Sequence, residues 1–239
     1  MNTALPRRAA AEFIGTAFLV MAVVGSGVMA TQLSPNDVGL QLLQNSLATG
    51  AALVALILAL QPVSASFNPI VTLVERVLGV IGTRTAVALV AAQVLGGLAG
   101  TIVANLMFSL APIAFSTHQR SGPGLWLAEV IATAGLLVIV FGSIRSRRPD
   151  RVALAVGGYI TAAYWFTSST SFANPAVTIA RTITDTFAGI APISAPGFIA
   201  AQLAGGVLGL ILLRFLYPAD STTLSVPADE SAADRKVLS

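Results

Sequence analysis

Three short signatures occur twice in this 239-residue chain, in the same order and about 110 residues apart. Ala11-Glu12-Phe13-Ile14-Gly15-Thr16 is answered by Ala128-Glu129-Val130-Ile131-Ala132-Thr133. Ser66-Phe67-Asn68-Pro69-Ile70-Val71-Thr72 is answered by Phe172-Ala173-Asn174-Pro175-Ala176-Val177-Thr178. Ala91-Ala92-Gln93, followed by Gly96, Gly97 and Gly100, is answered by Ala200-Ala201-Gln202, followed by Gly205, Gly206 and Gly209. A chain of this kind folds as two copies of one unit, and the number of membrane crossings in each copy decides how the copies face one another.

The medium is a bilayer. Hydrophobic residues make up 55% of the chain and charged ones 10%, with a mean hydropathy of +0.84, which excludes a soluble globular surface. No strand-like alternation is present, whereas uncharged stretches are long enough to cross about 30 Å as helix. Spans are predicted at roughly residues 9–30, 39–60, 82–108, 124–143, 152–170 and 194–217. The first follows Arg7 and Arg8 without a small-residue cleavage site, so it reads as a span and not a removable signal. Residues 62–80 and 171–192 are too apolar for surface loops, and Pro62, Pro69, Pro175 and Pro192 interrupt them too often for full crossings, so they read as re-entrant segments. Each half then has three spans. An odd number inverts the second copy, so the two Asn-Pro segments enter from opposite faces and meet near the midplane. The fold class is all-α integral membrane, with six transmembrane helices plus two re-entrant half-helices in an inverted repeat. Residues 1–217 form one channel domain, with half-repeats at 9–108 and 124–217. Residues 218–239 turn to Ala, Asp, Ser, Thr and Lys, the composition of a disordered tail.

Arg7, Arg8, Arg76, Arg84, Arg145, Arg147, Arg148, Arg151, Arg214, Arg235 and Lys236 fall on one side of this arrangement, and only Arg120 and Arg181 on the other. Both termini and the tail are therefore expected in the cytoplasm, with the protein in the inner (plasma) membrane. The basic turn Arg145–Arg151 is read as the topology signal and implies no nucleic-acid partner. In each Asn-Pro pair, proline presets the first helical turn and asparagine caps it, which starts a short helix in mid-membrane. The positive dipole ends then converge and repel cations, while the amides of Asn68 and Asn174 are free to donate to a passing oxygen.

The paired boxes, the paired glutamates and the repeat resemble the aquaporins and aquaglyceroporins, the major intrinsic proteins, over residues 9–217. The resemblance implies a passive channel for small polar uncharged solutes, a homotetramer with one pore per subunit, Asn68 and Asn174 as pore-lining donors, and Glu12 and Glu129 as buried braces. Gln93 and Gln202 share that polar packing, and the repeated glycines let helices pack closely. Two departures stand out. The first box ends in Ile70, and the second has Val177 where the family carries the arginine of its selectivity filter. Counting the other filter positions without gaps gives Ala48, Ala162 and Ser171, and allowing gaps moves the first two to Thr49 and to Ala163 or Tyr164. Arg181, one turn beyond Val177, either replaces part of the missing charge or pairs with Asp185, and the helical spacing favours the pair.

A filter of small residues and valine is expected to be wide and to lack a fixed guanidinium. The resemblance then implies glycerol, urea and metalloid hydroxides such as arsenite, with water and, at the upper end of size, larger arsenicals. The second box is similar to that of bacterial aquaglyceroporins associated with arsenic resistance. The chain contains no cysteine to trap trivalent arsenic, which also removes disulfides, thiolate metal sites and thiol nucleophiles. An enzyme would need a nucleophile with a base or a metal site, and the single His118 lies in a polar loop with no partner pattern, so neither metal, cofactor nor catalysis is expected. A coupled secondary transporter would need an acidic group beyond the two braces, and a closed structural membrane protein is the remaining alternative.

Overall fold

The computed structural model describes residues 4–218, so the tail expected over 218–239 lies outside the described residues except for Pro218. The chain forms α1 (Leu5–Leu33), α2 (Val38–Leu60), α3 (Pro69–Val77), α4 (Thr83–Met107), α5 (Pro123–Arg145), α6 (Val152–Phe166), α7 (Pro175–Ala180) and α8 (Ala195–Leu216). Single 3₁₀ turns at Pro149–Arg151 and Arg181–Ile183 adjoin α6 and α7.

Five helices, α1, α2, α4, α5 and α8, are long and apolar enough to cross a membrane. The sixth crossing is α6, whose 15 residues continue the 3₁₀ turn at Pro149–Arg151 and together reach roughly 28 Å. It ends four residues before the predicted 170 because Thr167 leaves helical geometry, and a turn closed by Thr170 N donating to Thr167 O carries the chain back toward the interior. The short helices α3 and α7 fill the two re-entrant segments. Phe18, Leu47, Val87, Leu127, Val207 and Phe215 are exposed on the outer surface, as a helix facing lipid requires.

The halves repeat one another in packing as in sequence. Helix α1 lies against α4 and α2, and α5 lies against α8 and α6, while α2 and α6 join the halves and both half-helices touch α4 and α8. Small residues set the spacing. A Cβ on Gly96 would sit 2.3 Å from Phe13 O and one on Gly100 2.3 Å from Ala17 O, so α4 lies directly on the backbone of α1. At the crossing between halves, a Cβ on Gly157 would come 2.7 Å from Gly50 O. Backbone cannot retreat as a side-chain end can. Gly96→Ala and Gly100→Ala are each expected to destabilise the purified protein by about 1–3 kcal/mol, whereas Gly158→Ala, whose Cβ meets nothing within 4 Å, should leave thermal unfolding in detergent unchanged or slightly raised.

Candidate functional site

The loops entering the two half-helices are held by buried carboxylates. Glu12, fully buried on α1, accepts from Ser66 N at 2.9 Å, Phe67 N at 2.7 Å and Gln93 Nε2 at 2.8 Å, and from the Ser64 hydroxyl. Glu129, fully buried on α5, accepts from Phe172 N at 2.9 Å, Ala173 N at 2.8 Å, Gln202 Nε2 at 2.7 Å and the Ser169 hydroxyl at 2.6 Å. Gln93 and Gln202 also donate to Thr72 and Thr178, each at 2.9 Å, which ties each carboxylate to its own half-helix. With its donors converging on it, each group meets the condition under which a buried charge is stable.

This grip fixes an unusual backbone. Phe67, Thr170, Ser171 and Ala173 have φ of 47°, 62°, 52° and 48°, a left-handed conformation that costs a non-glycine residue roughly 1–2 kcal/mol. Glycine would relieve that cost but could not fill the space, since the Phe67 ring packs where a Cβ on Gly15 would stand. The left-handed turns aim the carbonyls of Phe67 and Ala173 across the midline. There Asn68 Nδ2 donates to Ala173 O at 2.8 Å and Asn174 Nδ2 to Phe67 O at 2.7 Å. Each asparagine oxygen caps its own helix, Asn68 Oδ1 accepting from Ile70 N at 2.9 Å and Asn174 Oδ1 from Ala176 N at 3.0 Å and Val177 N at 3.2 Å. Nδ2 has two hydrogens, so each amide that crosses the midline retains a donor for the cavity that both asparagines line.

That cavity runs past the asparagines between two differently lined ends. One end is formed by Thr49, Tyr164, Ser171, Phe172, Val177 and Arg181. Thr49 Oγ1 and Tyr164 OH lie 3.2 Å apart, and the buried Ser171 hydroxyl has no protein partner among the described residues. The other end, through Ala65, Ser66, Val71 and Val152, opens into a second cavity that reaches Arg8, Gln61, Glu75 and Pro149.

Ser171 and Val177 stand on the cavity wall, but Ala48 and Ala162 do not. Ala48 is only half-buried and Ala162 is exposed on the outer surface. The gapped positions, Thr49 and Tyr164, are the ones on the wall. An error of one residue turns a helical side chain by about 100° and an error of two by about 200°, enough to exchange pore for lipid.

The expected Arg181–Asp185 pair is absent. Helix α7 ends at Ala180 and Thr184 is extended, so the one-turn spacing that would align the two does not exist. Asp185 instead accepts from Thr117 N at 2.9 Å and Thr117 Oγ1 at 3.0 Å, bonds that hold its carboxyl below the ordinary value. Arg181 is buried on the cavity wall with its guanidinium 3.4 Å from the centroid of the Phe172 ring and its Nε donating to Ala188 O. The expectation of a wall without a fixed guanidinium is thereby overturned. Arg120, read from sequence only as a topology outlier, clamps both sides of that carbonyl, with Nε donating to Gly189 O at 2.9 Å and Nη2 to Phe187 O at 3.2 Å.

Two membrane half-helices pinned tip to tip beside a continuous cavity with polar groups at its centre and both ends define a solute channel. The sequence profile of the major intrinsic protein family matches residues 2–171 and 126–237, and the chain belongs to that family. It is 51% identical over 213 residues to aquaglyceroporin AqpS of Rhizobium meliloti (strain 1021), covering 89% of this chain and 91% of that one. It is 29% identical over 227 residues to aquaporin Z of Brucella melitensis biotype 1, covering 88% and 97%. Among solved structures, the aquaglyceroporin from Plasmodium falciparum superposes with a TM-score of 0.67 at 18% identity, over 90% of this chain and 97% of that one, a likeness of fold. The protein is thus a multi-pass membrane channel that passes small solutes passively, and not an enzyme.

Replacing one oxygen of either brace by an amide sets donor against donor. Glu12→Gln and Glu129→Gln are each expected to cost about 2–3 kcal/mol, read as earlier thermal unfolding, while whatever solute flux survives in proteoliposomes stays independent of an imposed proton gradient.

Proposed function

We propose that this channel passes uncharged hydroxylated solutes larger than water, namely glycerol, urea and undissociated metalloid hydroxides such as arsenite, extending to larger arsenicals, together with water. The observation that carries the reading is Val177, a buried, apolar group on the wall where the family's filter arginine would project. The guanidinium supplied by Arg181 sits over the Phe172 ring and its Nε is bonded to the Ala188 carbonyl, so it lines the passage from a fixed position on the wall. Ser171, Thr49 and Tyr164 supply hydroxyls that can take the place of a solute's hydration shell, while Val177, Leu53 and Ile160 suit a carbon backbone. With Asn68 and Asn174 as central donors and Glu12 and Glu129 as braces, the wall fits a solute that is polar on one face and apolar on the other.

Passive flux also fits the two acids within the spans, since each is fully buried, bonded to four donors and set back from the cavity wall. The basic residues gathered on one side favour a plasma (inner) membrane location with both termini cytoplasmic. A homotetramer with one pore per subunit follows from the family resemblance, as does a place in arsenic resistance.

The test is a ratio. Val177→Arg should cut flux of glycerol and arsenite several-fold more than flux of water, measured by stopped-flow on the same proteoliposomes. Equal losses for all three would point to fewer active channels, and an unchanged ratio in correctly inserted protein would move selectivity away from this wall.

A further inference from the structure

The repeat that places the asparagines also relates the two mouths of the pore, and there it joins opposite chemistries. Seven residues beyond Asn68 stands Glu75, and seven beyond Asn174 stands Arg181. Two residues before the asparagines stand Ser66 and Phe172. The equivalent pairs touch. The Ser66 hydroxyl lies 3.3 Å from both oxygens of Glu75, as the Phe172 ring lies 3.4 Å beneath the Arg181 guanidinium. Ser66 lines the pore cavity and the cavity at its second mouth, and Glu75 lines the second.

Apart from the long contact with the Ser66 hydroxyl, the surroundings of Glu75 do not stabilise an acid. Glu75 lies in the last turn of α3, where the helix dipole disfavours negative charge. No cation neutralises it at close range, since the ion pair within 4.0 Å among the described residues is Arg151–Asp150. Arg8 borders the same cavity without reaching Glu75, the neighbouring Arg76 turns its Nε to Thr83, and the buried Glu12 is occupied by its own donors. The rest of the passage is rich in donors: the Arg181 guanidinium and the amides of Asn68 and Asn174 all favour an anion that gets in.

We propose that Glu75 is a specificity-determining residue of this pore, its carboxylate setting the barrier to small anions at the mouth opposite Arg181. Neutral hydroxylated solutes pass both charges, accepting from the guanidinium at one end and donating to the carboxylate at the other. The inference rests on the solute range proposed above. Coulomb attraction or repulsion by a unit charge acting over about 10 Å, at an effective dielectric of about 20, changes the passage of an ion by roughly tenfold.

Proteoliposomes loaded with a chloride-sensitive dye at pH 8, where a carboxylate is ionised, give the readout, with glycerol and water fluxes taken on the same vesicles. Glu75→Gln keeps the shape and the contact with Ser66. It should raise chloride entry about tenfold relative to water while glycerol flux stays within about twofold, and Glu75→Asp, which keeps the charge, should hold chloride entry at the wild-type value. Unchanged chloride entry in Glu75→Gln overturns the inference. So does a parallel change in chloride, glycerol and water, which would make Glu75 structural, or an increase in Glu75→Asp as large as in Glu75→Gln. Should Glu75→Gln fail to insert, Glu75→Ser offers the same comparison without the long side chain. Glycerol flux through the wild type tests the proposed solute range separately, so either reading fails without the other.

Discussion

Glu12 and Glu129 are each enclosed by four donors drawn from a re-entrant loop, a hydroxyl and a neighbouring helix, and the course of both loops depends on that enclosure. Burying a carboxylate away from water costs several kcal/mol, and the backbone amides that offset the cost become available only if the chain adopts left-handed turns at Phe67, Ser171 and Ala173. The charge and the strain therefore sustain each other. Apolar side chains in place of the acids would leave those amides unsatisfied inside a bilayer, where irregular backbone is tolerated only when its polar groups are met.

From the pinned loops the remaining architecture follows at short range. The left-handed turns present the Phe67 and Ala173 carbonyls to the asparagine of the opposite half, and the two short helices start where those asparagines cap them. The framework is nearly two-fold, but the chemistry placed on it is not. Val177 and Arg181 occupy one mouth, and Glu75 with Ser66 the other. Duplication supplies a symmetric scaffold, and substitutions at equivalent positions then give the passage a direction in charge. Arg120 extends this asymmetry outward, because holding the carbonyls of Phe187 and Gly189 sets Ala188 against the Arg181 side chain.

Much of this was legible in the sequence. The glutamates, asparagines and glutamines recur in register, and recurrence in an inverted repeat is a three-dimensional statement: it says which groups face one centre. The glycines of α4 and α8 and the short helices were read in the same way. What the residues did not disclose were features set by phase or by where a helix stops. Ala48 and Ala162 were displaced from the wall by one and two positions, a small slip in counting that becomes a large rotation on a helix. The Arg181–Asp185 pair presumed a helix that continues, whereas α7 ends at Ala180 and frees Arg181 to lie on Phe172. The Arg120 clamp joins the loop between the halves to the loop that links α7 to α8, a contact that no periodicity encodes.

The crossed bonds of the asparagines also impose an order on assembly. The Phe67 carbonyl takes its donor from Asn174, 107 residues later in the chain. At ribosomal rates of about 5–20 residues per second, that partner is made roughly 5–20 s after the first loop. Through that interval the first four helices hold a half-built pore whose central carbonyl still lacks its protein donor, so neither half is complete as a folding unit.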